Sequence, residues 1–371
     1  MDNVQLIVEA GMDKEQEQKL ASLCRIKYVL PSVRLYVVEI PTDRVGELKG
    51  LAGVDRVMAD THIMAQSAPV MPTGRGVTIA VLDTGIAPVE DFTNPFNRIV
   101  HFKDFVNNKS KPYDDNAHGT HVASIAAGSG FRSMGRYRGV ATGANIAAVK
   151  VLDEKGRGNA TDALAGIQWV IDNHKKYNIR VANLSIGTQD IGSMDPLVRA
   201  VEAAWDLGIV MVVAAGNNGP KSSSITSPGT SRKVITVGAS DDNRPADIWG
   251  NQRVNFSGRG PTSECIIKPD ILAPGSNIVA ALSNSEELKP QRLNSLNLVG
   301  QGYVSMSGTS MASPQVAGAI ALLLEKCPSL SPNEVKLFIK DSAKNLHYSP
   351  NRQGWGLLNI EGLLNGGNYG R

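Results

Sequence analysis

The chain reads as an α/β protein: a doubly wound, mostly parallel sheet follows a small α+β domain. Three patterns predict this. From residue 77 onward, short β-branched apolar runs alternate with segments of helical period, as parallel strands joined by crossover helices require. Residues 77–83, 181–187 and 209–216 are such runs, apolar through most of their length as strands covered on both faces are. Amphipathic helices are expected at 160–175, 195–207 and 332–343. Before residue 65 the order differs. Strands are expected at 4–9, 26–30, 34–40 and 55–59, with helices at 14–23 and 43–51 and a hairpin turn at Pro31-Ser32. That β-α-β-β-α-β order predicts a ferredoxin-like domain over 1–64, followed by a larger domain over 65–371.

Composition bounds the possibilities. The chain has 371 residues, 42% of them hydrophobic and 20% charged, ordinary values for a globular protein with a large core. No apolar run reaches membrane-spanning length. A net charge of +3 is too small to argue for nucleic acid. Residues 1–64 carry eight Lys/Arg against ten Asp/Glu, so the remainder is the basic part, and this mild opposition favours docking of the two. Cys24, Cys265 and Cys327 form an odd set without metal-ligand spacing, so no disulfide framework is expected, which suits a reducing compartment. The first ten residues lack a basic region followed by an apolar stretch. The expected location is therefore the cytoplasm, the alternative being secretion with a leader absent from this sequence.

Three segments carry chemistry. Residues 77–83 deliver Asp83 at the carboxyl end of a buried strand, before Thr84-Gly85, where open α/β sheets place their ligands. An aspartic protease would need a second Asp-Thr-Gly, and there is none. His118-Gly119-Thr120-His121-Val122-Ala123 opens a helix of small residues. Gly308-Thr309-Ser310-Met311-Ala312-Ser313-Pro314 puts one serine where a strand end turns into a long apolar helix. Pro314 is expected in that helix's first turn, and Ser310 near its positive end, where backbone N–H groups can face an anion. Alone, Ser310 would read as a capping serine on a core helix, and His118 as a structural histidine. An Asp, a His and a Ser, each at an element boundary among small residues, point instead to nucleophilic catalysis.

Together these segments resemble the subtilisin-like (S8) serine proteases, over roughly residues 1–364. Ala214-Ala215-Gly216-Asn217, Asn255-Phe256-Ser257-Gly258-Arg259-Gly260-Pro261 and Lys268-Pro269-Asp270 match connecting motifs of that family. Within it the chain looks most like the AprX-type intracellular alkaline proteases of bacilli. The resemblance implies a serine endopeptidase with Asp83, His118 and Ser310 as catalytic triad. Asn217 would be the side-chain donor of the oxyanion hole, with the Ser310 N–H as its partner. Ser185-Ile186-Gly187 and Ala214-Ala215-Gly216 would wall the primary specificity pocket, and Thr226 would narrow it. Leu152 and Ile186 would line an apolar subsite, and Gly156 and Gly158 a substrate-pairing edge. His121 is expected to be packed structure, and His62, His101, His174 and His347 have no motif around them.

The first domain resembles the family's propeptide, an intramolecular chaperone and inhibitor, the alternative being a permanent accessory domain. Self-cleavage is expected between Met64 and Ala65. The expected preference before the cut bond is broad and apolar, favouring Met or Leu over Trp. Protein and peptide substrates and the chain's own propeptide are the expected partners, with no nucleic acid and no membrane. No cofactor is required for the chemistry. A structural calcium ion stays open, but residues 128–139 carry three arginines and no carboxylate where secreted subtilisins bind it. Other carboxylates that could serve are Asp114, Asp115 and Asp241. Residues 283–300 read as an inserted polar loop beside Ser310. The rival readings are a catalytically silent peptide-binding protein on the same scaffold and a narrow processing protease.

Overall fold

The computed structural model describes residues 3–60, 71–189, 194–248 and 250–366. The chain divides into two compact units, Met1–Val70 and Met71–Arg371. The expected cleavage point at Met64 and Ala65 lies outside the described residues.

In the small unit, β1 (Asn3–Ala10), α1 (Lys14–Leu23), β2 (Arg25–Leu30), β3 (Leu35–Pro41), α2 (Val45–Lys49) and β4 (Val54–Ala59) follow one another in the expected order. The strands form one antiparallel sheet, β2-β3-β1-β4. Strand alternation puts Leu6, Val8 and Ala10 of β1 and Tyr36, Val38 and Ile40 of β3 on one face, where they pack with Leu20 and Leu48 from the helices. The start of α1 is set by a reciprocal cap: the Asp13 side chain accepts from the Gln16 N–H, and the Gln16 side chain from the Asp13 N–H. The helix expected at 43–51 is shorter. It begins as a 3₁₀ turn at Thr42–Arg44 and ends at Lys49.

The large unit is built on a seven-stranded sheet. Its strands are β5 (Thr78–Asp83), β6 (Ile99–Asp104), β7 (Asn145–Lys150), β8 (Ile179–Leu184), β9 (Val210–Ala214), β10 (Ile235–Ala239) and, beyond the short hairpin β11 (Ala246–Ile248) and β12 (Asn251–Arg253), β13 (Ile271–Ala273). Their spatial order is β13-β10-β9-β8-β5-β7-β6, with every pairing parallel. Order reverses at β5, which lies between β7 and β8. That is the switch point at which such sheets open a crevice at the carboxyl ends of their strands.

Helices cover both faces, which is why every residue of β5 and β9 is buried. After the single turn α3 (Glu90–Thr93), α4 (His118–Ala127) packs on the sheet together with α8 (Thr309–Lys326). The pair α5 (Ala160–Tyr177) and α6 (Pro196–Asp206) forms the other layer. In α5, Ala163, Gly166, Ile167 and Val170 make the buried stripe, the spacing of one helical face. The α8 helix is buried almost throughout because it runs through the centre of the unit. Its approach to the 126–140 segment needs Gly318, since a Cβ there would lie 2.7 Å from Val140 Cβ and 2.8 Å from the Ala126 carbonyl.

The inserted segment at 283–300 is more ordered than its polar sequence suggests. It holds a 3₁₀ turn (Ser285–Glu287), α7 (Pro290–Asn294) and β15 (Asn297–Leu298), between β14 (Ile278–Ala281) and β16 (Tyr303–Met306). These strands form an antiparallel sheet, β14-β16-β15. Leu288, Leu293 and Leu296 anchor the insertion over Ala117, Leu282 and Val304. The chain closes through α9 (Pro332–Ser342), α10 (Pro350–Gln353) and α11 (Ile360–Asn365). Among the described residues, no helix is long and apolar enough to cross a membrane.

Candidate active site

Four strand ends meet in one crevice. Asp83 ends β5 and is fully buried, and His118 is the first residue of α4. The His118 Nδ1 lies 2.7 Å from Asp83 Oδ1, which also accepts the Thr84 N–H at 2.7 Å. A carboxylate oxygen can only accept, so Nδ1 carries a proton and the other ring nitrogen is the one available as a base. Gly119 makes this approach possible. A Cβ there would collide with the Gly85 carbonyl and lie 3.1 Å from Asp83 Cβ.

Ser310 is the second residue of α8, behind Gly308 as cap. At Gly308 φ is 148°, and an added Cβ would lie 3.2 Å from Asn217 Nδ2. Glycine is therefore required there on two counts. Pro314 is not in the first helical turn, as expected from sequence, but in the second. Lacking an N–H, it leaves the Ser310 carbonyl without its usual partner four residues on. The Ser185 hydroxyl takes that place, donating to the Ser310 carbonyl at 3.2 Å. The Ser310 hydroxyl donates in turn to the Ser185 carbonyl, at 3.4 Å.

Asn217 follows β9. Its Oδ1 accepts the Thr309 N–H at 2.9 Å and the Thr309 hydroxyl at 3.1 Å. Because a backbone N–H can only donate, this pairing decides which end of the amide is oxygen. The NH₂ end is thereby aimed away from Thr309, beside Gly308. Asn217, His118 and Ser310 all line two adjoining cavities.

The larger cavity, about 620 Å³, is a groove lined by Leu152, Gly156, Gly158, Ser185, Ile186, Gly187, Ala214, Gly216 and Thr226. Nine of the ten substrate-contact residues expected from sequence thus come together. Ala215 stands behind them, fully buried, with its carbonyl accepting the Thr226 N–H at 3.1 Å. Thr226 is wedged between two glycines. A Cβ on Gly187 would strike its hydroxyl, and one on Gly216 would lie 2.6 Å from its methyl. Sequence reasoning missed one wall, the β11–β12 hairpin, which adds Ile248, Asn251 and Arg253. Its only local signal was Gly250-Asn251, a turn dipeptide with Gly250 at φ 82°.

Of the remaining histidines, His121 and His101 are held by packing. His121 is fully buried, with Nε2 3.0 Å from the Ile278 carbonyl and 3.1 Å from the Val304 carbonyl. Carbonyls accept only, so Nε2 carries the proton, and burial pushes the ring's pKa down to about 3. His101 packs in a cluster with Trp169 and Tyr177. His174 Nδ1 meets the Ile171 carbonyl at 2.6 Å, and His347 sits in a turn at φ 61°. His62 lies outside the described residues.

Nearby carboxylates already hold protein donors. Asp91 accepts the Tyr303 hydroxyl at 3.0 and 3.1 Å and the Arg132 N–H at 3.2 Å, while Arg132 Nε donates to Glu90 at 3.0 Å. Asp115 pairs with the buried Lys150 at 2.8 Å, and Asp241 accepts the Gly275 and Ser276 N–H groups. Among the described residues, no cluster of three His, Cys, Asp or Glu side chains could hold a metal.

With this geometry in hand, comparison with known proteins decides the family. The model of the subtilase family (Peptidase_S8) matches residues 74–356. The chain belongs to the subtilase family. It is 47% identical over 302 residues to serine protease AprX of Bacillus subtilis (strain 168), covering 79% of this chain and 67% of that one. Subtilisin BL of Lederbergia lenta is 37% identical over 289 residues, or 78% of this chain and 91% of that one. Among solved structures, one titled "S41 Psychrophilic Protease" superposes with a TM-score of 0.63 at 31% identity, covering 78% of this chain and 93% of that one. A cold-adapted subtilisin-like serine proteinase gives 0.59 at 30% identity, over 80% and 92%. This subtilase is a serine endopeptidase acting on proteins or peptides, on a subtilisin-like fold.

His121 of this subtilase should leave a mark on acid stability. Its pKa in the fold is about 3, against 6.5 for the unperturbed ring, so below pH 6.5 the unfolded chain binds a proton that the folded chain refuses. Stability from this residue is therefore full above pH 6.5 and is lost as the pH falls toward 3. Thermal midpoints of enzyme held under a serine-protease inhibitor, so that it does not digest itself, should drop through that window. The drop should be shallower when His121→Gln is added. Identical slopes would show that His121 does not govern it.

Proposed function

We propose that Asp83, His118 and Ser310 form the catalytic triad and that Asn217 and the Ser310 N–H form the oxyanion hole. The observation that carries this reading is the buried Asp83–His118 contact beside a serine at the start of α8, with His118, Ser310 and Asn217 lining one groove. Ser310 Oγ attacks the scissile carbonyl while His118 Nε2 takes its proton. The tetrahedral oxyanion receives hydrogen bonds from the Asn217 NH₂ and the Ser310 N–H. His118 then gives the proton to the leaving amine, and an acyl group is left on Ser310. Water repeats the sequence to release the acid. Asp83 keeps the imidazole in the required tautomer and stabilises its charged form.

The substrate lies extended along the groove, between the Gly156–Gly158 edge and the segment after β8, pairing by its backbone. The side chain before the cut bond enters the space between Ser185–Gly187 and Gly216. Thr226 narrows that space, so unbranched apolar side chains suit it better than Trp. The small unit acts as propeptide and inhibitor, separated by self-cleavage between Met64 and Ala65. Three unpaired thiols, Cys24, Cys265 and Cys327, support work in the reducing cytoplasm. Calcium is not needed at the loop after α4, since a Tyr303 hydroxyl and an arginine N–H occupy Asp91 and no carboxylate replaces it. A catalytically silent protein on this scaffold is disfavoured by the intact Asp, His, Ser and Asn set.

Four outcomes test the proposal. Ser310→Ala should abolish peptide hydrolysis and trap the uncleaved chain, since subtilisin without its serine loses about 10⁶ in kcat. Residual turnover within a hundredfold of native would remove Ser310 as nucleophile. Asn217→Ala should lower kcat by roughly 10²–10³, as in subtilisin, with little change in KM. An effect confined to KM would make Asn217 a ground-state contact. Thermal midpoints in excess calcium and in chelator should nearly coincide, and a large loss in chelator would reveal a strong site elsewhere. Amino-terminal sequencing of active enzyme should begin at Ala65. A start well away from it, or full activity in the intact chain, would refute the assigned cut.

A further inference from the structure

The peptide that leads into His118 is unusual. Ala117 precedes the helix in the left-handed region, at φ 80° and ψ −12°, a conformation that residues with a Cβ rarely adopt. It persists only if its surroundings over-determine it. Much of that constraint comes from the inserted segment. Arg292 of α7 donates from Nε to the Asn116 carbonyl at 2.9 Å and from a terminal nitrogen to Asn116 Oδ1 at 3.2 Å. The same Oδ1 accepts the N–H of His118 at 3.3 Å. Glu287 accepts the Asp114 N–H at 3.0 Å, and Leu288 lies in the apolar cluster that buries Ala117. The insertion therefore grips residues 114–117 at three points, and Arg292 is one bond removed from the His118 backbone.

Arg292 also lines the second cavity, about 420 Å³, together with His118, Asn217 and Ser310. If the groove with Thr226 takes the acyl side of the substrate, this cavity lies where the leaving amine departs. We infer that Arg292 is a positioning residue for His118: its two-pronged hold on Asn116 aims the imidazole at the leaving group, so that proton delivery to the departing amine depends on the inserted segment. This inference rests on His118 being the general base and acid, as proposed above.

The chemistry supplies a selective readout. A peptide amine must be protonated by His118 as it leaves, whereas a nitrophenolate of an activated ester leaves unprotonated. A misaimed imidazole should therefore penalise amides more than esters, while partial misfolding penalises both equally. Arg292→Ala and Arg292→Lys enzymes would be compared with native on a peptide amide and on the matching nitrophenyl ester, each normalised by titration of the active serine. Arg292→Ala should lower kcat on the amide by roughly 10-fold to 100-fold with KM little changed, the scale on which ~1 Å misplacement of a catalytic group is felt. The ester kcat/KM should fall several-fold less. Lysine, which cannot fork onto both oxygens of Asn116, should restore part of the loss. Adding Asn116→Ala to Arg292→Ala should cost little more than either alone, because the two act in series. Equal loss on amide and ester, full amide activity in Arg292→Ala, or strict additivity with Asn116→Ala would overturn the inference. Turnover surviving in His118→Ala would sink the catalytic reading itself. A dead His118→Ala beside an unimpaired Arg292→Ala would remove only the role of Arg292.

Discussion

One buried carboxylate ties together the elements that carry Asp83 and His118 of the proposed triad. Asp114 is fully buried and satisfied by five donors: the Thr84 hydroxyl and the Asn116 and Ala117 N–H groups on one oxygen, the Thr120 N–H and hydroxyl on the other. Those donors come from both sides of the crevice. Thr84 directly follows Asp83, and its hydroxyl also accepts the Gly119 N–H at 2.9 Å. Thr120 is in the first turn of α4, and its hydroxyl accepts the Ala87 N–H at 3.0 Å. The end of β5 and the start of α4 are thereby locked through one group, and the 2.7 Å separation of Asp83 and His118 follows from that lock. A buried carboxylate is tolerable only when its oxygens are filled in this way. Removing it would leave five donors to find other partners in a dry interior.

The same economy of small parts governs the Ser310 side. A proline in the second turn of α8 frees the Ser310 carbonyl, and Ser185, at the end of β8, supplies the missing donor. Ser185 also bonds Asn183 and Ser313, so the strand that walls the groove and the helix that carries the serine share one polar contact. Asn217 is held by Thr309, the residue before Ser310. Strand ends and helix starts are thus coupled pairwise around the crevice, and the rigid sheet fixes their spacing. Such preorganisation is what electrostatic stabilisation of an oxyanion needs, because donors that must reorient spend their interaction on reorganisation.

The insertion at 283–300 shows how a scaffold of this kind is varied. It lies outside the seven-stranded sheet, yet it reaches residues 114–117 and the second cavity. Its polar exterior hides a small apolar footing of three leucines, which lets a surface segment hold a fixed position. A loop that both braces the turn before His118 and walls a cavity can alter which leaving groups are accepted without touching the proposed triad.

Much of this was legible in the order of residues. The run of apolar residues ending in Asp83, the small-residue helix opened by His118 and the glycine before Ser310 are local signals, since period, β-branching and turn chemistry act between near neighbours. The β-α-β-β-α-β order of the small unit is local in the same sense, and its first helix, Lys14–Leu23, has the expected bounds. Pro314 was misplaced by local reasoning, because its tolerance in the second turn depends on Ser185, 125 residues before Ser310. The β11–β12 wall of the groove and the grip of Arg292 on Asn116, 176 residues apart in the chain, carry no local mark either. What the sequence by itself determined is the family, the order of elements and the ends of those elements on which the proposed catalytic residues sit. Which of them share a crevice, and which distant side chains hold them there, was decided by the packed sheet, because hydrogen bonds between remote segments form only once burial has brought their partners together.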